Sequence, residues 1–191
     1  MIYFIRHGVT DWNDYVNERG EKDPKLQGWA DIPLNEKGIE QAKAAAKTLE
    51  GVKFDRVFCS PLQRARQTLE QIHIDGAKVV FDDRLKERNF GEFEGKCKSV
   101  MDFGEFWDVR LNKKYEKAES VVDFQNRVFG FLDELKQFKD DNILIVAHGG
   151  IGSSIKRYFY GYSATLHALG GRRKNRCQNR QEENKQNFNI P

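Results

Sequence analysis

Cysteine is scarce in this chain: Cys59, Cys97 and Cys177 are the only three, and they are widely spaced. An odd, scattered set suggests neither a disulfide framework nor a zinc site. Long apolar runs are missing too, and none reaches the ~20 residues that a membrane-crossing helix needs. The first residues enter a strand directly, so no signal peptide is expected among them. The expectation is a cytoplasmic protein with no membrane contact. An excess of charge of one sign is also lacking in most of the chain. The net charge of +3 comes from the end, where six Lys or Arg residues stand against Glu182 and Glu183 from Arg172 onward. The remainder is close to neutral, so nothing points to nucleic acid as a partner. No internal repeat is present. What remains is a 191-residue chain, 39% hydrophobic and 32% charged, enough for one globular domain with a substantial core.

Apolar stretches alternate with helix-favouring ones. Ile2–Ile5, Phe54–Cys59, Lys78–Phe81 and Asn142–Ala147 read as strands, the last being the most hydrophobic. Pro33 and Asn35 mark the start of an alanine-rich helix over Gly38–Leu49, which Gly51 stops. Ser60 is the expected N-cap, and Pro61 the first residue, of a helix running to about Asp75-Gly76. A further helix is expected around Met101–Leu111. Another opens at Ser120, with Val121, Phe124, Val128, Phe131, Leu132 and Leu135 on its apolar side. The last covers roughly Ile151–Tyr160. This alternation predicts an α/β fold, a three-layer α/β/α sandwich with a mostly parallel central sheet. The domain is expected to span residues 1–171. Residues 172–191, polar and basic, form a tail too poor in apolar side chains to repay its own ordering. At most a short edge strand or helix is expected there.

Three of these strands end alike. Ile2–Ile5 leads to Arg6-His7-Gly8, Phe54–Cys59 to Ser60-Pro61-Leu62-Gln63-Arg64, and the strand ending at Ala147 to His148-Gly149-Gly150. Ligands of open parallel sheets bind beyond the carboxyl ends of the strands. If the three strands are neighbours, one mouth gathers two histidines, two arginines, glycine backbones and two helix starts, a collection suited to a phosphate dianion. A carboxyl group that moves protons would complete the set. By composition Glu87, Glu92 and Glu94 qualify equally.

The segments RHGVTDWN at 6–13, LQGWADIPLNEKG at 26–38, CSPLQRARQT at 59–68, LKERNFGEFEG at 85–95 and AHGG at 147–150 occur in an order that resembles the histidine phosphatase superfamily, in its phosphoglycerate-mutase-like branch. The resemblance runs from the first strand to about Tyr162. It implies that His7 is the nucleophile, forming a phosphohistidine, and that Glu87 is the proton donor. Arg6, Asn13, Arg64, His148 and Gly149 would hold the phosphate, and Gln27 and Gly28 would line the pocket entrance. Glu94 would then order its loop, while Glu92 would face solvent. No metal and no cofactor are implied.

Val9 departs from the pattern, standing where an acidic or polar residue often follows the glycine. Asn17–Lys25 looks like an insertion that could form part of the rim. The implied activity is metal-independent hydrolysis of a small phosphorylated metabolite. A phosphoglycerate mutase is the alternative within enzymes, and a non-catalytic phosphate-binding domain the alternative outside them. The short connection from Gly95 to Ser120 favours hydrolysis. Substrate identity and oligomeric state are not legible in the residues.

Overall fold

In the computed structural model, which describes residues 1–161 and 188–189, the sheet is built around Ile143–Ala147. All five residues of this strand are buried. Its neighbours are Ile2–Arg6 on one side and Arg56–Cys59 on the other. In chain order the strands are β1 (Ile2–Arg6), β2 (Arg56–Cys59), β3 (Lys78–Phe81), β4 (Ile143–Ala147) and β5 (Phe188–Asn189). Their spatial order is β3-β2-β4-β1-β5, and every pairing is parallel. The helices are α1 (Glu36–Lys47), α2 (Gln63–Leu69), α3 (Phe103–Trp107), α4 (Val121–Leu135) and α5 (Gly149–Tyr160).

Alternation along β4 separates two cores. Ile143, Ile145 and Ala147 join Phe124, Val128 and Phe131 of α4 and Ile151 and Ile155 of α5. Leu144 and Val146 join Ala65 and Leu69 of α2, with Leu49 and Phe54. The result is the three-layer arrangement expected from the sequence. Each large apolar side chain buried in this way contributes about 1.5–3 kcal/mol. A third cluster of Leu26, Phe90 and Phe106 fastens the segment before Gln27 to the segment after Glu87.

Several boundaries differ from expectation. The helix predicted from Gly38 begins at Glu36, because the Asn35 side chain accepts from Gly38 N and caps it. The one predicted to start on Ser60 and Pro61 begins at Gln63 and ends at Leu69. Its first amide finds Asp31 Oδ1 at 2.6 Å, while the Ser60 hydroxyl accepts from Leu62 N, ahead of the helix, at 3.4 Å and contacts His148 Nε2 at 2.7 Å. Around Met101–Leu111 only Phe103–Trp107 is helical, capped by Asp102. Ser120 caps α4 as its position suggested, its side chain accepting from Asp123 N. Phe188 and Asn189 pair with Ile2 and Tyr3 through the backbone, which a polar composition does not prevent. The remainder of the expected tail lies outside the described residues.

Candidate active site

The strand order brings together what the chain separates. Arg6 is in register with Ala147, and Cys59 with Val146, so the residues that follow β1, β2 and β4 meet at one edge of the sheet. Two amides extend the ladder past the strands: His7 N donates to Ala147 O at 3.0 Å, and Ser60 N to Val146 O at 3.0 Å. The imidazoles of His7 and His148 consequently lie 5.0 Å apart, centroid to centroid.

His7 is buried, and its Nδ1 lies 2.6 Å from the Gly8 carbonyl oxygen. A carbonyl can only accept, so Nδ1 carries the proton and Nε2 keeps its lone pair. Burial, reinforced by the Arg64 charge, pushes the His7 pKa down to about 3, against the opposing effect of the Gly8 bond. The ring is therefore neutral at physiological pH. The loop that carries it is pressed onto α1: a Cβ on Gly8 would overlap the Gly38 backbone, and one on Gly38 would overlap the Val9 carbonyl. Two glycines are needed for this approach.

His148 is fully buried, with Nε2 at 2.7 Å from Ser60 Oγ and Nδ1 lacking a partner among the described residues. Burial and then the Arg64 charge drive its pKa well below the ordinary value. It also stands as N-cap of α5, its own side chain making no bond back to the helix. That helix start favours negative charge.

Arg64 is 1% exposed. Its two terminal nitrogens donate to Ala30 O and Gly28 O, each at 2.8 Å, and so hold the Gln27–Ala30 segment. Its Nε is a buried donor with no acceptor among the described residues. Burial lowers its pKa to about 10, with Glu87 the main opposing influence, so it remains a cation. Such a buried cation with an unfilled donor calls for an anion. Arg6 is exposed, and its guanidinium lies over Gly149. Gln27 is buried, its Oε1 without a partner among the described residues. Asn13 uses its Oδ1 for Thr10 N, at 3.1 Å.

Glu87 reaches the same place from the irregular segment after β3. Its Oε1 accepts from Arg88 N at 2.9 Å and its Oε2 from Gly150 N at 3.0 Å. The other two carboxylates are occupied differently. Glu94 Oε1 accepts from Trp29 N and Phe90 N at 2.8 and 3.1 Å, which knits the two loops, and Glu92 is exposed. The structure thus gathers His7, His148, Arg6, Arg64, Gly149 and Glu87 at one mouth, with Asn13 beside Arg6 and His7; Gly28 is tied to it through Arg64, and Gln27 is buried next to Gly28.

Sequence reasoning missed the supports of this site. Ser60 contacts His148 Nε2, besides accepting from Leu62 N just before α2. Trp29 Nε1 donates to Glu87 O at 2.7 Å. Arg127 Nη2 donates to the same oxygen at 2.8 Å, and its Nη1 to Arg84 O and Lys86 O. The signal for Arg127 was a cation one helical turn from Phe124 and Phe131 on an otherwise apolar side. Arg88, fully buried over Phe106, donates to Glu119 O and Phe106 O.

The sequence pattern of the histidine phosphatase superfamily (branch 1) matches residues 2–184. The chain belongs to the histidine phosphatase superfamily. This histidine phosphatase is 33% identical over 153 residues to the uncharacterized phosphatase PhoE of Bacillus subtilis (strain 168), covering 78% of this chain and 71% of that one. The structure of Bacillus stearothermophilus YhfR superposes with a TM-score of 0.71 at 31% identity, over 83% of this chain and 78% of that one. The phosphoglycerate mutase from Thermus thermophilus gives a TM-score of 0.65 at 29% identity, over 83% and 84%. Among the described residues of the histidine phosphatase, no helix is long and apolar enough to cross a membrane.

Proposed function

We propose that this chain hydrolyses a small phosphorylated metabolite without a metal ion, through a phosphohistidine on His7. The observation that carries the reading is the tautomer of His7: Nδ1–H is held by the Gly8 carbonyl and the ring is kept neutral, so Nε2 offers a lone pair beside two arginines. In the first step Nε2 attacks phosphorus and the bond to the ester oxygen breaks. Glu87 in its acid form gives that oxygen a proton. In the second step Glu87 as carboxylate takes a proton from water, the oxygen of which attacks phosphorus and releases His7. Arg6, Arg64, His148, Asn13 and the start of α5 at Gly149 bind the phosphoryl oxygens and spread the charge that builds up on them. Gln27 and Gly28 wall the pocket. The free thiols of Cys59 and Cys97 fit a cytoplasmic setting.

Rapid quenching of the full chain with a 32P-labelled ester in excess chelator tests this. An acid-labile, alkali-stable phosphoenzyme is expected in the wild type and absent from His7→Ala. Phosphate release by His7→Ala at the wild-type rate would overturn the mechanism. The likeness to the Thermus thermophilus mutase supports a second reading, phosphoryl transfer between two positions of one metabolite. Activity that depends on a bisphosphate primer would select it.

A further inference from the structure

The phosphate-accepting role of His7 leaves the other half of the substrate unassigned. Beside Arg6 and His7 the surface opens into a cleft of about 420 Å³, lined further by Val9, Asn13, Asp14, Lys22 and Gln41. Each of Gln41, Asn13 and Asp14 already has acceptor oxygens engaged within the protein. Gln41 Oε1 accepts from Val9 N at 2.9 Å. Asn13 Oδ1 accepts from the amide and the hydroxyl of Thr10. The two oxygens of Asp14 pair with Lys22 Nζ at 2.9 Å and Lys37 Nζ at 3.4 Å. Beyond the Arg6 and Asn13 donors that serve the phosphoryl group, the cleft adds the carboxamide nitrogen of Gln41 and the ammonium of Lys22 as N–H donors. Two lysines on one aspartate also leave the local charge positive.

Lys22 is brought there by the segment that looked like an insertion. Asn17 N donates to Glu21 O and Gly20 N to Asn17 O, both at 2.9 Å, with Gly20 at φ +78°. The Asn17 side chain accepts from Arg19 N and Glu21 N at 2.9 and 3.0 Å. Val16 and Lys22 then bridge antiparallel. The turn holds itself together through its own backbone, so the position of Lys22 is set before substrate arrives. Its side chain is 63% exposed, and a pairing so exposed with Asp14 is readily exchanged for another anion.

Building on the phosphohistidine reading of His7, we infer that this cleft selects phosphate esters that carry a second anionic, acceptor-rich group, a carboxylate or a further phosphate, on a short polar skeleton, and that Lys22 determines that preference. Among the described residues only Val9 and Gly8 offer apolar wall, so acyl chains and aromatic leaving groups find little to bind there.

Rates would be measured in excess chelator for the full chain, Lys22→Ala and Lys22→Glu. The carboxylate arm uses 3-phosphoglycerate and phosphoserine, the phosphate arm fructose 1,6-bisphosphate. Glycerol 3-phosphate and p-nitrophenyl phosphate carry no second anion. For the wild type, kcat/KM should favour one of the first two arms over glycerol 3-phosphate by about tenfold, and Lys22→Glu should remove most of that ratio through KM. The favoured arm names the group. A wild-type ratio near one, or a ratio unmoved in both variants, would overturn the inference while hydrolysis of p-nitrophenyl phosphate left the phosphatase reading standing. Failure to hydrolyse any ester would overturn both.

Discussion

Arg127, paired with Glu119, holds the backbone around Glu87. The guanidinium of Arg127 meets Glu119 through Nε and Nη2 at 2.6 and 2.9 Å, and its remaining donors go to the carbonyls of residues 84, 86 and 87. Both side chains are largely buried, which removes the screening that weakens exposed pairs. Arg127 touches no reacting atom in the proposed mechanism, so it is a positioning residue. Arg127→Ala should lower kcat by about 10²-fold with a smaller change in KM, because a displacement near 1 Å of the proton donor has that effect. It should also destabilise the fold by roughly 2–4 kcal/mol, because Glu119 loses its counter-charge and the Arg84 and Lys86 carbonyls lose their Arg127 donor, while Glu87 O keeps Trp29 Nε1. Steady-state kinetics of Arg127→Ala, Glu87→Gln and the double variant check this. The two kcat losses should not add, since both act through one carboxylate. Additive losses would show that Arg127 works by another route.

At the scale of elements, the contact that matters most for the site is between the loop after β1 and the first turn of α1. Asn35 ties the two, donating from its amide to Val9 O at 3.2 Å while its side chain caps the helix. Gly8 and Gly38 allow the backbones to touch. Gly38→Ala puts a methyl group where the Val9 carbonyl sits, and α1 must move away from the loop. The expected destabilisation is about 1–3 kcal/mol, as for overpacking in a core. Because His7 donates to the carbonyl of Gly8, the same movement should loosen the Nδ1 bond and reduce phosphoenzyme formation. Urea unfolding and the quench experiment on Gly38→Ala measure the two effects. Unchanged stability would mean that the loop yields freely, and that the glycine pair does not fix His7.

Over the whole molecule, two histidines buried in their neutral form make stability depend on pH. The folded pKa of His7 is about 3 and that of His148 is also well below the ordinary value of 6.5. Below 6.5 the unfolded chain therefore binds protons that the folded chain refuses. Stability rises with pH where the unfolded state holds more protons, so the contribution is full above 6.5 and is lost as pH falls from 6.5 toward 3. The slope should approach about 1.4 kcal/mol per pH unit for each histidine in that window. Urea unfolding at intervals from about pH 8 to about pH 4.5 measures it. His7→Gln should show a shallower acid limb than the wild type. Ring 15N shifts should report neutral His7, protonated on Nδ1, down to about pH 5. Protonation of that ring near its ordinary value of 6.5 would contradict the burial argument.

The chain by itself determined its layers. Alternation in Ile143–Ala147 and the apolar side of Val121–Leu135 were enough to call for a covered parallel sheet, since these patterns are local and burial must satisfy them. It also determined which residue types end the strands. What it left open was adjacency. His7 and His148 lie far apart along the chain, and only the placing of β4 between β1 and β2 makes them neighbours. The three carboxylates after β3 look alike as residues. Tertiary contacts separated them, because Gly150 N and Arg88 N take Glu87 while Trp29 N and Phe90 N take Glu94. Ser60 shows the same division in reverse: a sound local N-cap signal gave way to a buried imidazole that needed a partner. Local propensity is worth about 1 kcal/mol, and an unsatisfied buried polar group costs as much or more. Where the two conflict at this site, the long-range partner decides.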